Sequence, residues 1–99
     1  MTAQELIYRV TIQAVSGELT SDINALHTDS LKVTPGSAFI ALRGTQVDGH
    51  DYIQQAVSNG AALIVAETAP DTETSATWIQ TADSSIALAV MAANFYGDP

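Results

Sequence analysis

The sequence predicts an α/β domain in which helices flank a mixed or mostly parallel sheet. Three observations carry that expectation. Ala38–Leu42 (AFIAL) and Ala62–Ala66 (ALIVA) are unbroken apolar runs bounded by turn residues, the pattern of strands covered on both faces. Between them, Ile53, Ala56 and Val57 recur at helical spacing. Strand, helix and strand within about thirty residues make a βαβ unit, for which parallel pairing and a right-handed crossover are expected.

The elements follow in order. Thr2, with Glu5 three places on, has the form of a capping box, and Leu6, Ile7 and Val10 share one side, so residues 2–9 predict a short opening helix. Residues 12–16 (IQAVS) and 23–28 (INALHT) predict short strands separated by Gly17 and a polar stretch. Thr28 to Gly36 reads as a loop closed by a Pro-Gly turn. After Ala38–Leu42, Asp48 can cap a helix from about His50 to Asn59, which Gly60 stops. A polar loop at 70–75 leads to a strand at 76–80 (ATWIQ). A last helix runs from Ser84 to Tyr96, with Ile86, Leu88, Val90, Met91 and Phe95 as its apolar residues. The two apolar strands and this helix can close one core. The chain has no repeats and no internal linker, and a helix followed by Gly97-Asp-Pro99 is how one domain hands over to the next, so an N-terminal domain of a longer protein is expected.

Composition narrows the function classes. Ninety-nine residues suit one domain, and 46% hydrophobic with 14% charged residues fits a compact fold. A formal charge of −8 argues against nucleic acid and anionic membrane surfaces as partners. With no cysteine there is neither a disulfide framework nor a thiolate metal site. No signal-peptide pattern or membrane-length apolar run occurs, and a cytoplasmic location is expected.

The chemistry is that of binding. There is no GxxxxGK[ST] or GxGxxG loop, no GxSxG elbow, and His27 and His50 lack metal-ligand spacing, so no catalytic or metal-ligating residue is expected. Asp48 and Asp51 read as helix caps and His50 as a hydrogen-bonded structural residue. Ligands of open α/β sheets settle beyond the carboxyl ends of strands, where Thr28-Asp-Ser30 and Gly44-Thr-Gln-Val47 lie. Their short polar side chains and backbone N–H groups suit the edge of a base and a diphosphate. Lys32 and Arg43, two of only three basic residues, flank these loops. They are either solvated side chains at strand ends or a local positive site for a small anion.

At these residues the sequence resembles a family. Thr28-Asp-Ser-Leu-Lys-Val-Thr-Pro-Gly-Ser-Ala-Phe-Ile-Ala-Leu-Arg-Gly44, then Asp48-Gly-His-Asp-Tyr-Ile, Ala56, Gly60-Ala and Ile64-Val, is similar to the N-terminal domain of a Mur ligase. The family pattern is DSR-x-V-x-PG-x-x-F-x-A-x-x-G, followed by DGH-x-F-[IV] and GA-x-x-[IV]. Asn94-Phe-Tyr-Gly-Asp-Pro99 resembles the segment preceding the ATP loop of the tripeptide-forming member. The resemblance spans almost the whole chain and implies a single small Rossmann-like domain over residues 1–99. It further implies a three-domain ligase: the first domain binds the UDP part of UDP-N-acetylmuramoyl-L-Ala-D-Glu, the second ATP and Mg²⁺, and the third places the incoming amino acid. The reaction it implies is acyl-phosphate formation on the D-glutamate carboxylate, then attack by a diaminopimelate or lysine amine. Thr28, Ser30, Thr45, Gln46 and Val47 would contact UDP, and Lys32, Arg43, Asp48 and His50 would support phosphate or loop. The rest of the ligase chain would be the domain's partner.

One position departs from the pattern. The arginine of DSR is Leu31 here, which removes a charge and up to five donors. Lys32 could substitute in part, or the position could be structural. Two rival readings stand beside the tripeptide-forming one. The first is the same domain of the sister ligase that adds D-alanyl-D-alanine, with Thr45-Gln-Val-Asp and the Phe95-Tyr-Gly-Asp-Pro ending against it. The second is a non-catalytic interaction module, which would need an extended apolar patch.

Overall fold

The computed structural model describes residues 1–44, 47–70 and 74–97. Five strands form one sheet: β1 (Ala14–Ser16), β2 (Leu26–His27), β3 (Ala38–Ile40), β4 (Leu63–Ala66) and β5 (Thr77–Gln80), in the order β1-β5-β4-β3-β2. Strands β2 to β5 run parallel, and β1 pairs antiparallel with β5 at the edge. The sheet is therefore mixed, as expected. Helices α1 (Ala3–Leu6), α2 (Ile53–Ser58) and α3 (Ser84–Tyr96) flank it.

Register and the two-residue period of a strand divide the apolar residues between two faces. Phe39 pairs with Ile64 and Ile64 with Trp78, and these three point to one side. There they pack with Ala41, Ala66, Ile53 and Ala56 beneath α2. Their neighbours Ala38, Ile40, Leu63, Val65 and Ile79 point to the other, packing with Leu6, Ile23, Ala87 and Met91 beneath α1 and α3. The single core expected from sequence is thus two clusters that share a sheet. Strand β4 is buried at every residue because it contributes to both. In α3 the buried residues are Ser84, Ala87 and Met91, with Leu88 and Phe95 packed alongside, whereas Ile86 points outward.

Several elements are shorter than their sequence patterns, each for a local reason. The capping box of α1 forms, with Thr2 Oγ1 accepting from the Glu5 N–H at 3.2 Å and Glu5 Oε1 accepting from the Thr2 N–H at 2.9 Å. The helix nonetheless ends at Leu6, and Arg9 takes a left-handed φ of 69°. Residues 22–24 do not extend β2. Asp22 bridges Thr2, Ile23 donates to the Met1 carbonyl, and Asn24 bonds the Gly36 carbonyl. The stretch 12–16 pairs regularly only over Ala14–Ser16. The Pro-Gly turn closes through a Ser37 N–H bond to the Thr34 carbonyl at 3.1 Å, and a 3₁₀ turn, Ser30–Lys32, interrupts the loop before it. The helix expected from His50 begins as a 3₁₀ turn, Gly49–Tyr52, before α2 takes over at Ile53. Asp48 explains this, since its carbonyl takes the Asp51 N–H at i+3 and tightens the turn.

Gly60 joins α2 to β4 at φ +102°, and a Cβ there would lie 2.8 Å from the Pro35 Cα. The Gly36 N–H also donates to the Gly60 carbonyl at 3.1 Å, so the two turns touch backbone to backbone. Gly60→Ala combines a disfavoured φ with a backbone clash and should cost more than about 1 kcal/mol, measured by urea unfolding. A neutral effect would mean that the two turns do not meet. Phe39 is fully buried at the centre of β3. Phe39→Ala should cost roughly 3–5 kcal/mol in the same measurement. A loss below about 1 kcal/mol would mean that β3 is not covered on both faces.

Candidate functional site

Because β2 and β3 are parallel, both end on the same edge of the sheet, and the loops that leave them face one another. Between those loops lies an open cleft of about 440 Å³. Thr28 to Leu31 line it from the loop after β2. Phe39, Leu42, Gly44 and Val47 line it from β3 onward, and Gly49, Tyr52 and Gln55 close it from the 3₁₀ turn and α2. Its rim is apolar: Leu31, Val47 and Tyr52 are 74%, 54% and 43% exposed. A rim of this kind, with few polar groups inside it, suits a planar ring carrying hydrogen-bonding edges.

The first loop is tied to α2. Asp29 Oδ1 accepts from the Leu31 N–H at 3.0 Å and caps the 3₁₀ turn. Ser30, buried, donates its hydroxyl to Gln55 Oε1 at 2.8 Å, and Asn59 Nδ2 donates to the Ser30 carbonyl at 2.9 Å. Gln55 and Asn59 are one turn apart on α2's flank, so they hold Ser30 at both its side chain and its backbone. Thr28 is exposed at the cleft. Lys32 is exposed too but does not line it.

The second loop is closed at its base. Arg43 and Asp48 form an antiparallel bridge, Gly44 N–H donates to the Val47 carbonyl at 3.0 Å, and Gly49 N–H donates to the Leu42 carbonyl at 2.7 Å. At Gly49 a Cβ would lie 2.8 Å from the Leu42 nitrogen, so only glycine permits this approach. Thr45 and Gln46 lie outside the described residues, and Val47 lines the cleft.

The charged residues beside this loop form one network. Asp48 Oδ1 accepts from the His50 N–H at 2.9 Å and from His50 Nδ1 at 2.7 Å. His50 Nε2 accepts from the Glu67 N–H at 2.9 Å, which assigns the imidazole proton to Nδ1. Both ring nitrogens are therefore engaged. Arg43 Nε donates to Glu67 Oε1 at 2.6 Å, with Nη1 3.8 Å from Asp48 Oδ2. Glu67 Oε2 accepts from both the backbone N–H and the hydroxyl of Ser84, at 3.0 and 3.1 Å. The Ser84 N–H, then the Arg43 guanidinium, hold the Glu67 carboxyl below the usual carboxylate range. The backbone N–H and then the ring of His50 do the same for Asp48. Of the two aspartates read as caps, Asp48 makes the capping bond, while Asp51 stands in the first turn with an exposed position.

In the sequence, Gln55 and Glu67 carry no assigned role, and Asn59 and Ser84 figure only as helix ends. Gln55 and Asn59 look like any solvated helix face. Glu67 did leave a signal, because it is the first charged residue after the apolar run of β4, as Arg43 is after the run of β3. Parallel neighbours place such residues at the same sheet edge. Among the described residues no three His, Asp or Glu side chains gather to hold a metal ion, and no helix is long and apolar enough to cross a membrane. The cleft offers the Thr28 hydroxyl and an apolar rim.

Known proteins resemble this chain in both sequence and shape. The family described as "Mur ligase family, catalytic domain" matches residues 22–96. Relatives named UDP-N-acetylmuramoyl-L-alanyl-D-glutamate–2,6-diaminopimelate ligase include that of Cytophaga hutchinsonii, 44% identical over 100% of this chain and 21% of its own length. That of Syntrophomonas wolfei is 42% identical over 100% of this chain and 20% of its own length. The chain thus spans about a fifth of the curated relatives it matches. Among solved structures, MurF from Acinetobacter baumannii superposes with a TM-score of 0.80 at 28% identity, covering 94% of this chain and 20% of that one. MurF from Thermotoga maritima, solved in complex with ADP, superposes at 0.62 and 29% identity, covering 79% and 17%. A family match over most of the chain, carried by an α/β sheet of the same shape, places this protein in the Mur ligase family.

Proposed function

We propose that this chain is the N-terminal, substrate-binding domain of an ATP-dependent ligase acting in the cytoplasm on a peptidoglycan precursor, and that its cleft grips the UDP moiety of UDP-N-acetylmuramoyl-L-Ala-D-Glu. The observation that carries the reading is the cleft itself. It opens beyond the carboxyl ends of β2 and β3, between two loops braced from behind, and presents Thr28, Gly44 and Val47 at an apolar rim. A uracil ring against Leu31, Val47 and Tyr52, with its polar edge toward backbone groups and Thr28, uses that chemistry. Thr45 and Gln46 would add further contacts to UDP.

Ser30 contributes differently from Thr28. Its hydroxyl proton is spent on Gln55, so toward a ligand it can only accept, and its main task is to fix the loop. Arg43, bound to Glu67, and His50, bound on both nitrogens, act as supports of the second loop. Lys32 is the one basic residue beside the first loop and can approach a diphosphate at the cleft's edge.

ATP and Mg²⁺ serve the whole ligase in this reading. The residues of this chain do not fit them: the sequence has no GxxxxGK[ST] loop, and the described residues gather no metal ligands. No step of the reaction is therefore assigned to this chain, which delivers substrate to the rest of the ligase. The D-alanyl-D-alanine-adding sister is the alternative. The 44% and 42% identities to relatives named for diaminopimelate addition, against 28% for MurF, favour the tripeptide-forming member.

Three outcomes test this reading. Titrating the chain with UDP should shift NMR signals centred on residues 28–32 and 43–49, with a dissociation constant on the order of 0.1–1 mM, because a shallow site leaves little surplus over the entropy of association. Shifts confined to residues 70–76 would move the site elsewhere. Leu31→Arg restores the family arginine at an exposed rim position and should tighten binding by roughly 1–2 kcal/mol through a charge-assisted bond, a gain that shrinks with added salt. Equal affinity would make that arginine a structural part. The chain alone should neither hydrolyse ATP nor ligate amino acids, and turnover that survives a control for contaminants would overturn that expectation.

A further inference from the structure

We infer that Glu67 is the positioning residue of the cleft: it holds both stems of the 43–49 loop against the start of α3 and so sets the shape that the ligand meets. The inference rests on the reading of the cleft as a nucleotide site, but its geometry stands apart from the ligand. Glu67 is the residue just after β4 and does not line the cleft. Three separate groups of this one residue bind three separate segments. Its Oε1 takes the Arg43 Nε–H, on the stem entering the loop, at 2.6 Å. Its backbone N–H donates to His50 Nε2, on the stem leaving the loop, at 2.9 Å. Its Oε2 takes the N–H and hydroxyl of Ser84, the first residue of α3, at 3.0 and 3.1 Å. The Glu67 side chain is 17% exposed and Ser84 is buried, so water competes least for the bonds to Ser84, while Arg43 is 59% exposed.

Alternative roles for Glu67 are served by other residues. Capping of α3 is already done by Asp83, whose Oδ1 accepts from the N–H groups of Ser85 and Ile86 at 3.0 and 3.2 Å. Closure within the loop is done by Gly44 to Val47 and Gly49 to Leu42. What neither supplies is an anchor between the closed loop and the rigid sheet and helix, and Glu67 is that anchor. The same contacts turn Arg43 away from a ligand: its Nε–H is taken, and its guanidinium lies between two carboxylates.

The sign of the effect separates this role from electrostatics. The chain carries a formal charge of −8, so deleting a carboxylate beside an anion site should, by charge alone, strengthen anion binding. Positioning demands the opposite. The experiment has a ligand-free arm and a ligand arm on the 99-residue chain. Without ligand, Glu67→Ala removes the carboxylate but keeps the backbone N–H that binds His50, so amide hydrogen exchange should rise about tenfold at Gly44 and less at Gly49, while Ile64 and Val65 in β4 stay near their parent rates. A uniform rise that includes β4, or one confined to Ser85, Ile86 and Ala87 in α3, would overturn the inference. If Glu67→Ala does not fold, Glu67→Gln keeps the size and an acceptor for Ser84. It should then show the same selective rise at roughly a third of that size. With UDP, Glu67→Ala should weaken binding about tenfold, and the double variant with Arg43→Ala should bind no worse than the weaker of the two single ones, because both break one linkage. Additive losses, or tighter binding in Glu67→Ala, would make Arg43 a direct ligand contact and overturn the positioning role. If the parent chain does not bind UDP at all, the functional reading fails, and the exchange comparison still decides what Glu67 does.

Discussion

The parallel pairing of β3 with β4 is the constraint on which the rest of this domain depends. Register pairs Phe39 with Ile64 and Ile40 with Val65, and this sends alternate residues of both strands to opposite faces. A slip of one residue would put Phe39 and Ile64 on opposite faces and take one of them away from Ile53 and Ala56 beneath α2. The same register ends the two strands side by side. Arg43 and Glu67 then emerge at one edge, close enough for an ion pair, although 24 positions separate them in the chain. Core packing and site geometry are thus two results of one alignment.

For an acidic domain, the proposed diphosphate ligand poses an obvious difficulty, since the domain's own field would repel it. Here three carboxylates in or near the cleft are engaged by hydrogen bonds from the protein itself. Asp29 caps a 3₁₀ turn, Asp48 holds the backbone and ring of His50, and Glu67 holds Arg43 and Ser84. Each of these carboxylates accepts at least one N–H, which offsets part of its charge. That leaves the cleft a threonine hydroxyl and an apolar rim. Affinity from such groups is modest, and the family arginine would be the natural means of raising it. With Leu31 in that place, 74% exposed, the chain offers more surface for a ring and less for a phosphate.

Bracing of the two loops follows different physics. The first loop is held from α2 by neutral hydrogen bonds through Gln55 and Asn59, so its geometry responds little to salt. The second is held by charge-assisted bonds through Glu67 and Asp48. One wall of the cleft is therefore fixed by packing of a helix flank, the other by an ionic network with one buried edge.

The sequence by itself determined the fold class, the two central strands, the extent of α3 and the family. Each rests on local information: unbroken apolar runs, a helical stretch from Ser84 to Tyr96 ended by Gly97, and motifs at fixed spacing. It also marked both loops of the cleft, because a loop at the end of a buried strand is already placed by the strand. Tertiary structure decided the rest. It cut the helix after Asp48 into a 3₁₀ turn and a short α2, since the capping carbonyl could take its bond at i+3 as well as i+4. It shortened β2, since residues 22–24 found partners in Met1, Thr2 and Gly36. It split one expected core into two, since a sheet has two faces and a linear pattern does not say which residue serves which. And it found Glu67, whose role exists only where β4, the Arg43 loop, His50 and α3 come together. No spacing in the chain encodes a contact made by four segments at once.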